Sequence, residues 1–255
     1  MAGLQAQGIT VRFGGLVAVD GVDLDAQPGQ ITALIGPNGA GKTTTFNVCC
    51  GFQPAQSGRV FLGGGDVTGL SPAARARAGL GRTFQRMELF GSLTVRENIE
   101  LAVESTLVGP DPLTQLGLRR GGARARAAVR RRADEVIGEV GIGSFAGDSA
   151  GEISTGQGRL VELARALARE PTVLLLDEPS SGLDHRESED FGRQLQRVVA
   201  ARGIAILMVE HDMSLVLNVC SRIFVLDFGK PLMEGTPDEV RASEEVRAAY
   251  LGRAA

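Results

Sequence analysis

Ile31-Thr32-Ala33-Leu34-Ile35-Gly36-Pro37-Asn38-Gly39-Ala40-Gly41-Lys42-Thr43-Thr44 is the stretch on which the fold turns. Residues 36–43 fit G-x-x-x-x-G-K-[ST] at every fixed position. An apolar run ends at Ile35 and a helical segment, Thr44 to Cys50, follows, which is the strand-loop-helix setting the pattern requires. Glycines at 36, 39 and 41 let consecutive backbone N–H groups converge on one concavity, and the helix N-terminus adds partial positive charge. Phosphate oxygens fit such a cradle. Gly36, Pro37, Asn38, Gly39, Ala40 and Gly41 would supply its wall, with Thr44 in the first helical turn. Lys42 would supply a point charge for the β and γ phosphates, and Thr43 a hard oxygen for Mg²⁺. The competing reading is a plain glycine-rich turn, and the order of all three elements argues against it.

Outward from this loop the chain repeats one pattern. Ile31–Ile35, Val173–Leu176, Ile204–Val209 and Ile223–Leu226 are short, nearly unbroken apolar runs. Such runs suit strands buried on both faces of a parallel sheet. Phe191, Leu195, Val198, Val199 and Arg202 fall at helical spacing between two of them, and Leu160, Leu163, Ala164, Leu167 and Ala168 repeat it upstream. Strands alternating with amphipathic helices predict an α/β fold with a mainly parallel sheet. Residues 4–28, with turns at Phe13-Gly14-Gly15 and Pro28-Gly29, read instead as a small antiparallel sheet. Residues 86–155 carry helical patterns, such as Val129, Ala133, Val136, Ile137 and Val140, and no convincing strand. The expected organisation is one domain: an α/β core over 4–85 and 156–255, with an inserted helical subdomain over 86–155.

Composition narrows the class. The 255 residues are 43% hydrophobic and 22% charged, the profile of a globular chain with a large core. Basic and acidic residues number 27 and 30, a net charge of −3, which lacks the basic excess of a nucleic-acid binder. Unbroken apolar stretches reach about six residues, where a membrane span needs about 20. The start Met1-Ala2-Gly3-Leu4-Gln5 has no basic, apolar leader, and Cys49, Cys50 and Cys220 make no disulfide framework, so a reducing cytosol is expected. Seven Arg lie between 119 and 132. They read as a solvated helix face or as a contact for anionic headgroups, and the first is favoured because 25 of the 27 basic residues in the chain are Arg.

Leu176-Asp177-Glu178-Pro179 delivers two carboxylates to the carboxyl end of a parallel strand, where such sheets bind ligands. Beside a phosphate loop, Asp177 would hold Mg²⁺ through water and Glu178 would polarise the attacking water. Ile153-Ser154-Thr155-Gly156-Gln157 precedes this pair by about twenty residues. It resembles the signature of ATP-binding-cassette (ABC) ATPases. Ser154-x-x-Gln157 is also an ordinary capping box, and both readings hold together, since a capped helix N-terminus with a free hydroxyl suits a γ-phosphate.

The resemblance extends along nearly the whole chain. Gln85, in Arg82-Thr83-Phe84-Gln85, matches the glutamine that senses Mg²⁺ and the γ-phosphate. Ser180-Ser181-Gly182-Leu183-Asp184 matches the loop that reaches across a dimer, and His211, in Glu210-His211-Asp212, matches the switch histidine. His185 is the other histidine and reads as exposed. Arg-Thr-Phe-Gln ahead of Leu89-Phe90, the Arg-bearing insert, Glu-His-Asp-Met213 and the ending from Gly235-Thr236-Pro237 to Tyr250-Leu251-Gly252 are similar to one branch, the ATP-binding subunits of branched-chain amino acid and related amide or urea importers. That resemblance implies ATP and Mg²⁺ as cofactors and a phosphate-loop NTPase core. It implies a second ABC subunit, alike or homologous, that completes each ATP site with Ser154, Thr155, Gly156, Gln157 and Asp184. It also implies membrane-spanning permease partners, an extracytoplasmic solute-binding protein acting indirectly, no nucleic acid, and a peripheral place on the cytoplasmic face of the membrane. A lipid exporter and a soluble non-transport cassette are the alternatives, as is a cassette that binds ATP without hydrolysis. Intact Glu178 and His211 speak against the last. Two departures stand out. Thr155 occupies a frequent glycine position, where a left-handed backbone would strain a β-branched residue. Phe13 stands where relatives stack adenine on Tyr, and reads equally as a core aromatic. Met87, Leu89 and Phe90 likewise read as core or as a permease-docking surface.

Overall fold

The computed structural model describes residues 3–83, 87–107 and 122–251. Gln85, with Phe84 and Arg86, lies outside the described residues, as do Arg119 and Arg120. Among the described residues, ten strands form two sheets. The larger is built from β3 (Ile31–Ile35), β6 (Leu80–Arg82), β7 (Val173–Asp177), β8 (Ala205–Val209), β9 (Arg222–Asp227) and β10 (Lys230–Gly235), in the order β10-β9-β3-β8-β7-β6. Every pairing in it is parallel except the β9–β10 hairpin at one edge. The smaller, antiparallel sheet has the order β2-β1-β4-β5, from β1 (Leu4–Phe13), β2 (Leu16–Ala26), β4 (Ser57–Leu62) and β5 (Gly65–Asp66).

The unbroken apolar runs have a direct cause. All five residues of β3, β7 and β8 are buried, and successive side chains enter two different cores. Ile31, Ala33, Ile35, Leu174 and Leu176 face one core, which includes Val95, Ile99, Val103, Val129, Ala133, Val136 and Leu163. Leu34, Val173, Leu175, Leu207 and Val209 face the other, with Leu4, Ile9, Val22 and Phe46. A helical layer thus covers one face, and the antiparallel sheet with α1 (Lys42–Cys50) covers the other. Helix α1 begins at Lys42, two residues ahead of the expected Thr44.

α2 (Pro72–Arg77) precedes β6, and α3 (Val95–Leu107) and α4 (Gly122–Val140) follow it. Among the described residues between 87 and 155 the only strand-like pairing is a single bridge, Thr94 to Ser149. α5 (Thr155–Leu167) leads into β7, α6 (His185–Arg202) joins β7 to β8, and α7 (Met213–Val219) joins β8 to β9. α8 (Pro237–Ala242) and α9 (Glu244–Leu251) follow β10. No helix among the described residues is long and apolar enough to cross a membrane.

Asn98, fully buried in α3, pins the segment after residue 87. Its amide donates to the carbonyls of Phe90 (3.1 Å) and Thr94 (3.0 Å), and its Oδ1 accepts from Phe90 N–H (3.0 Å). Asn98→Ala leaves that backbone pair without its partner and should cost about 2 kcal/mol, lowering the melting midpoint by roughly 4–8 °C. A calorimetric shift no larger than that of an exposed control, Arg59→Ala, would show that water replaces these bonds at no cost.

Candidate functional site

The parallel strands β3, β7 and β8 end on one edge, and their last residues lead into the loops that carry the sequence-predicted groups. After β3 the chain wraps into the glycine loop. Gly36 has φ 149°, and a Cβ there would lie 2.2 Å from the Leu226 carbonyl oxygen. Gly41, at φ 93°, leaves room for the Ala18 carbonyl, which a Cβ would meet at 2.6 Å. Both positions therefore demand glycine. Lys42 folds back over the loop, its Nζ donating to the carbonyls of Gly36 (2.6 Å) and Pro37 (2.9 Å). Burial pulls its pKa down, with Glu178 acting in the opposite direction. Helix α1 has no side-chain cap and no acid in its first turn, whereas α2, α5, α6, α7 and α8 are all capped by Ser, Asp or Thr. An uncapped N-terminus beside a lysine is an open anion site. It forms one wall of a cleft of about 490 Å³ lined by Leu16, Val17, Ala18, residues 38–44, Glu178 and Phe228.

Asp177 ends β7, and burial raises its pKa while the neighbouring Arg82 opposes the rise. The two form an ion pair, Arg82 Nη2 to Asp177 Oδ2 at 3.1 Å. Glu178 follows with φ 46°, a left-handed backbone for a residue with a long side chain, held by its N–H donating to Val209 O at 2.9 Å. Strain of this kind clusters at functional positions. His211 stands just past β8 with a largely exposed side chain, its Nδ1 4.0 Å from Glu178 Oε2 and 3.9 Å from Glu210 Oε2. Asp177, Glu178, Lys42, Thr43 and His211 are thus brought together on one edge of the sheet.

Glu210 is the member that sequence reasoning missed. Its carboxylate is completely buried, accepting from Ser180 N–H (2.8 Å), His211 N–H (2.9 Å) and Asp212 N–H (3.2 Å). One acid therefore fixes both the histidine turn and the start of the 180–184 loop. A carboxylate written directly after a six-residue apolar run was the available signal.

Ser154 caps α5 with both halves of a capping box: its Oγ accepts from Gln157 N–H (3.2 Å), and its own N–H donates to Gln157 Oε1 (2.9 Å). Thr155 is the first residue of that helix and has no positive φ, so the anticipated left-handed strain is absent. Gly156 abuts Glu187, whose Oε1 would lie 2.6 Å from a Cβ. Asp184 caps α6 in the same reciprocal way with Glu187. None of residues 154–157 or 184 lines the phosphate-loop cleft. His185 starts α6, exposed and 3.4 Å from Glu189. Phe13 is not core: it is 49% exposed beside Leu16 at the hairpin tip, and Leu16 and Phe228, not Phe13, line the cleft. Met87 and Phe90 are exposed too, against the core reading, and only Leu89 packs partly on the core.

Comparison with known proteins agrees with this geometry. Residues 19–181 match the family described as ABC transporter, and residues 230–255 match a second, described as branched-chain amino acid ATP-binding cassette transporter. The chain is 38% identical over 251 residues to the high-affinity branched-chain amino acid transport ATP-binding protein BraF of Pseudomonas aeruginosa, covering 98% of each. It is 37% identical to LivG of Escherichia coli K12, again over 98% of each, and 35% identical to the lipopolysaccharide export ATP-binding protein LptB of Acidithiobacillus ferridurans, over 98% of this chain and 96% of that one. The crystal structure of a nucleotide-free ATP-binding cassette from an ABC transporter superposes with a TM-score of 0.83 at 31% identity, over 99% of this chain and all of the other. By family match, near full-length identity and fold, the chain belongs to the ATP-binding cassettes of ABC transporters.

Proposed function

We propose that this cassette hydrolyses ATP to drive uptake of branched-chain amino acids through membrane-spanning permease partners, from a peripheral position on the cytoplasmic face. The observation that carries the solute class is the match of residues 230–255 to the branched-chain amino acid cassettes, beside relatives of that name at 37–38% identity. Lipid export is the second reading, favoured by the 35% identity to LptB.

The donor set suits magnesium. Among the described residues no three His, Cys, Asp or Glu side chains form a metal cage, and the site offers Thr43 and Asp177, hard oxygens of the kind that share an ion with phosphates. Bound magnesium would neutralise phosphate charge. Lys42 leaves the Gly36 and Pro37 carbonyls for the β and γ phosphates, and residues 38–41 and the first turn of α1 close on them with backbone N–H groups. Thr43 and Asp177 would hold the metal, with Gln85 as the further ligand that the resemblance implies. Glu178 accepts a proton from the attacking water and His211 orients the γ-phosphate. Ser154 uses its oxygen lone pair on Gln157 N–H and keeps its O–H to donate to the γ-phosphate of a second cassette, a copy or a homologue. Gly156 and Asp184 sit at the same shared interface. Helices α3 and α4 turn with nucleotide state, and the permease contact is the groove of about 370 Å³ between the 88–105 segment and α5, lined by Glu88, Phe90, Leu101, Ser105, Arg165 and Arg169, among others.

Glu178→Gln should bind ATP with near-normal affinity while turnover falls at least about 100-fold, with an ATP-dependent dimer on size exclusion. A near-normal rate would remove Glu178 from the chemistry. Mixing Ser154→Ala with Lys42→Ala chains leaves one of two composite sites intact. ATPase activity of the mixture should exceed that of either variant alone, and no gain would argue against a shared site. Phe90→Asp should abolish ATP-driven uptake in membrane vesicles while the isolated cassette keeps its basal rate and melting point. Loss of all three together would place the docking surface elsewhere. Uptake assays with labelled leucine against a lipid substrate decide between the two readings.

A further inference from the structure

Arg82 ends β6, next to the strand that carries Asp177 and one residue before the Thr83–Gln85 segment begins. Its side chain is 14% exposed and makes contacts to three separate parts of the site. Nη2 donates to Asp177 Oδ2 at 3.1 Å. Nη1 donates to Asn47 Oδ1 at 3.0 Å, on the helix that follows the phosphate loop. The guanidinium lies 5.0 Å from the ring centroids of both Phe46 and Phe52. Thr83 N–H donates to Leu175 O at 3.0 Å, so Thr83 stays in register with β7.

A planar fork with two Nη atoms spans an acid and an amide at once and stacks on aromatic faces, which an ammonium cannot do. Asp177 is 11% exposed at its side chain, so without a partner its charge would be buried at high cost. We propose that Arg82 is a positioning residue for ATP hydrolysis: it holds the Asp177 carboxylate in place in the nucleotide-free site and ties it to the phosphate-loop helix through Asn47. This rests on the ATPase reading above, in which Asp177 serves the metal. Arg82 engages Oδ2, so the carboxylate keeps one oxygen that this ion pair does not use. It also makes the phosphate-loop helix, the acid strand and the strand leading to Gln85 respond as one unit.

The test combines a stability cycle with a split of kinetic parameters. Arg82→Met should lower the melting midpoint of the nucleotide-free protein by about 5 °C or more. Adding Asp177→Asn should recover most of that loss, because no buried charge is then left alone. Losses that simply add would overturn the pairing. Arg82→Met should also cut kcat about tenfold or more, while affinity for ATP in the absence of divalent cations, read with a fluorescent ATP analogue, stays within about twofold. An unchanged kcat would overturn the positioning role. Arg82→Lys keeps the charge, so its midpoint should return to within about 3 °C of wild type, yet its kcat should stay reduced because Asn47 and Asp177 are no longer bridged. Full kcat in Arg82→Lys would refute the bridge. Should Arg82→Met fold only together with Asp177→Asn, the coupling is present in its extreme form; should it fold in neither background, Arg82→Lys alone decides. If ATP with Mg²⁺ fails to raise the midpoint of the wild-type protein, the ATPase reading itself falls and the proposal with it, whatever the nucleotide-free cycle shows.

Discussion

The contact of two missing side chains with two backbone carbonyls sets the geometry of everything else. Gly36 meets Leu226 O and Gly41 meets Ala18 O, so the phosphate loop is clamped between strand β9 of the parallel sheet and strand β2 of the antiparallel one. Any Cβ at either point would push backbone against backbone, which does not yield as a side-chain tip would. The clamp explains why two sheets of different kinds share one core. Their shared core, with Phe46 of α1 fully buried in it, fixes the helix whose N-terminus is the anion site.

From that fixed loop, connections run across the site through buried charges. Glu210 links the His211 turn to Ser180. On α5, the buried pair Arg159–Glu162 (2.8 Å) continues this path, with Arg159 donating to Ser181 O at 3.1 Å. Burial raises the Glu162 pKa, opposed by Arg159. Arg165 donates to the Glu88 carbonyl, and a Cβ on Gly158 would strike Met87 Sδ at 2.3 Å. The helix that presents Ser154 is therefore fastened on one side to the 180–184 loop and on the other to the 87–90 segment. Low-dielectric ion pairs of this sort contribute less to net stability than to fixing one arrangement, because each partner is costly only when left alone.

Legibility in the sequence followed burial. Strands β3, β7, β8 and β9 were readable because both their faces are covered, which removes the alternation that would otherwise confuse strand with surface. β6 has three residues, one of them Gly81, and β10 is a largely exposed edge strand containing Pro231, so neither leaves a periodic trace. The glycine loop and the Asp177-Glu178 pair were legible as motifs because each is contiguous in the chain, whereas His211 stood out only through the family resemblance. Glu210 and Arg82 were not, since their roles depend on Ser180, Asn47 and Asp177, which only the fold brings near. Phe13 shows the limit from the other side: an aromatic next to a Gly-Gly turn has no sequence signal for 49% exposure.

The two transport readings differ in what they demand of the cassette, and the site explains why its core does not separate them. In the reading proposed above, backbone N–H groups, one lysine, two acids and a histidine would meet phosphates and water, and none of them is chosen by the solute. A distinction between importers and exporters must lie where the cassette meets other chains or where its own periphery meets the site. The segment after β9 is such a periphery. It follows the antiparallel β9–β10 hairpin, carries α8 and α9, and returns towards the phosphate loop. A cavity of about 890 Å³ separates α9 from residues 37–40, with Phe228 at its rim. Leu232, Glu245, Ala248 and Ala249, from the part of the chain that matches the branched-chain amino acid cassettes, line that cavity opposite Pro37 to Ala40, so branch-specific sequence borders the glycine loop itself.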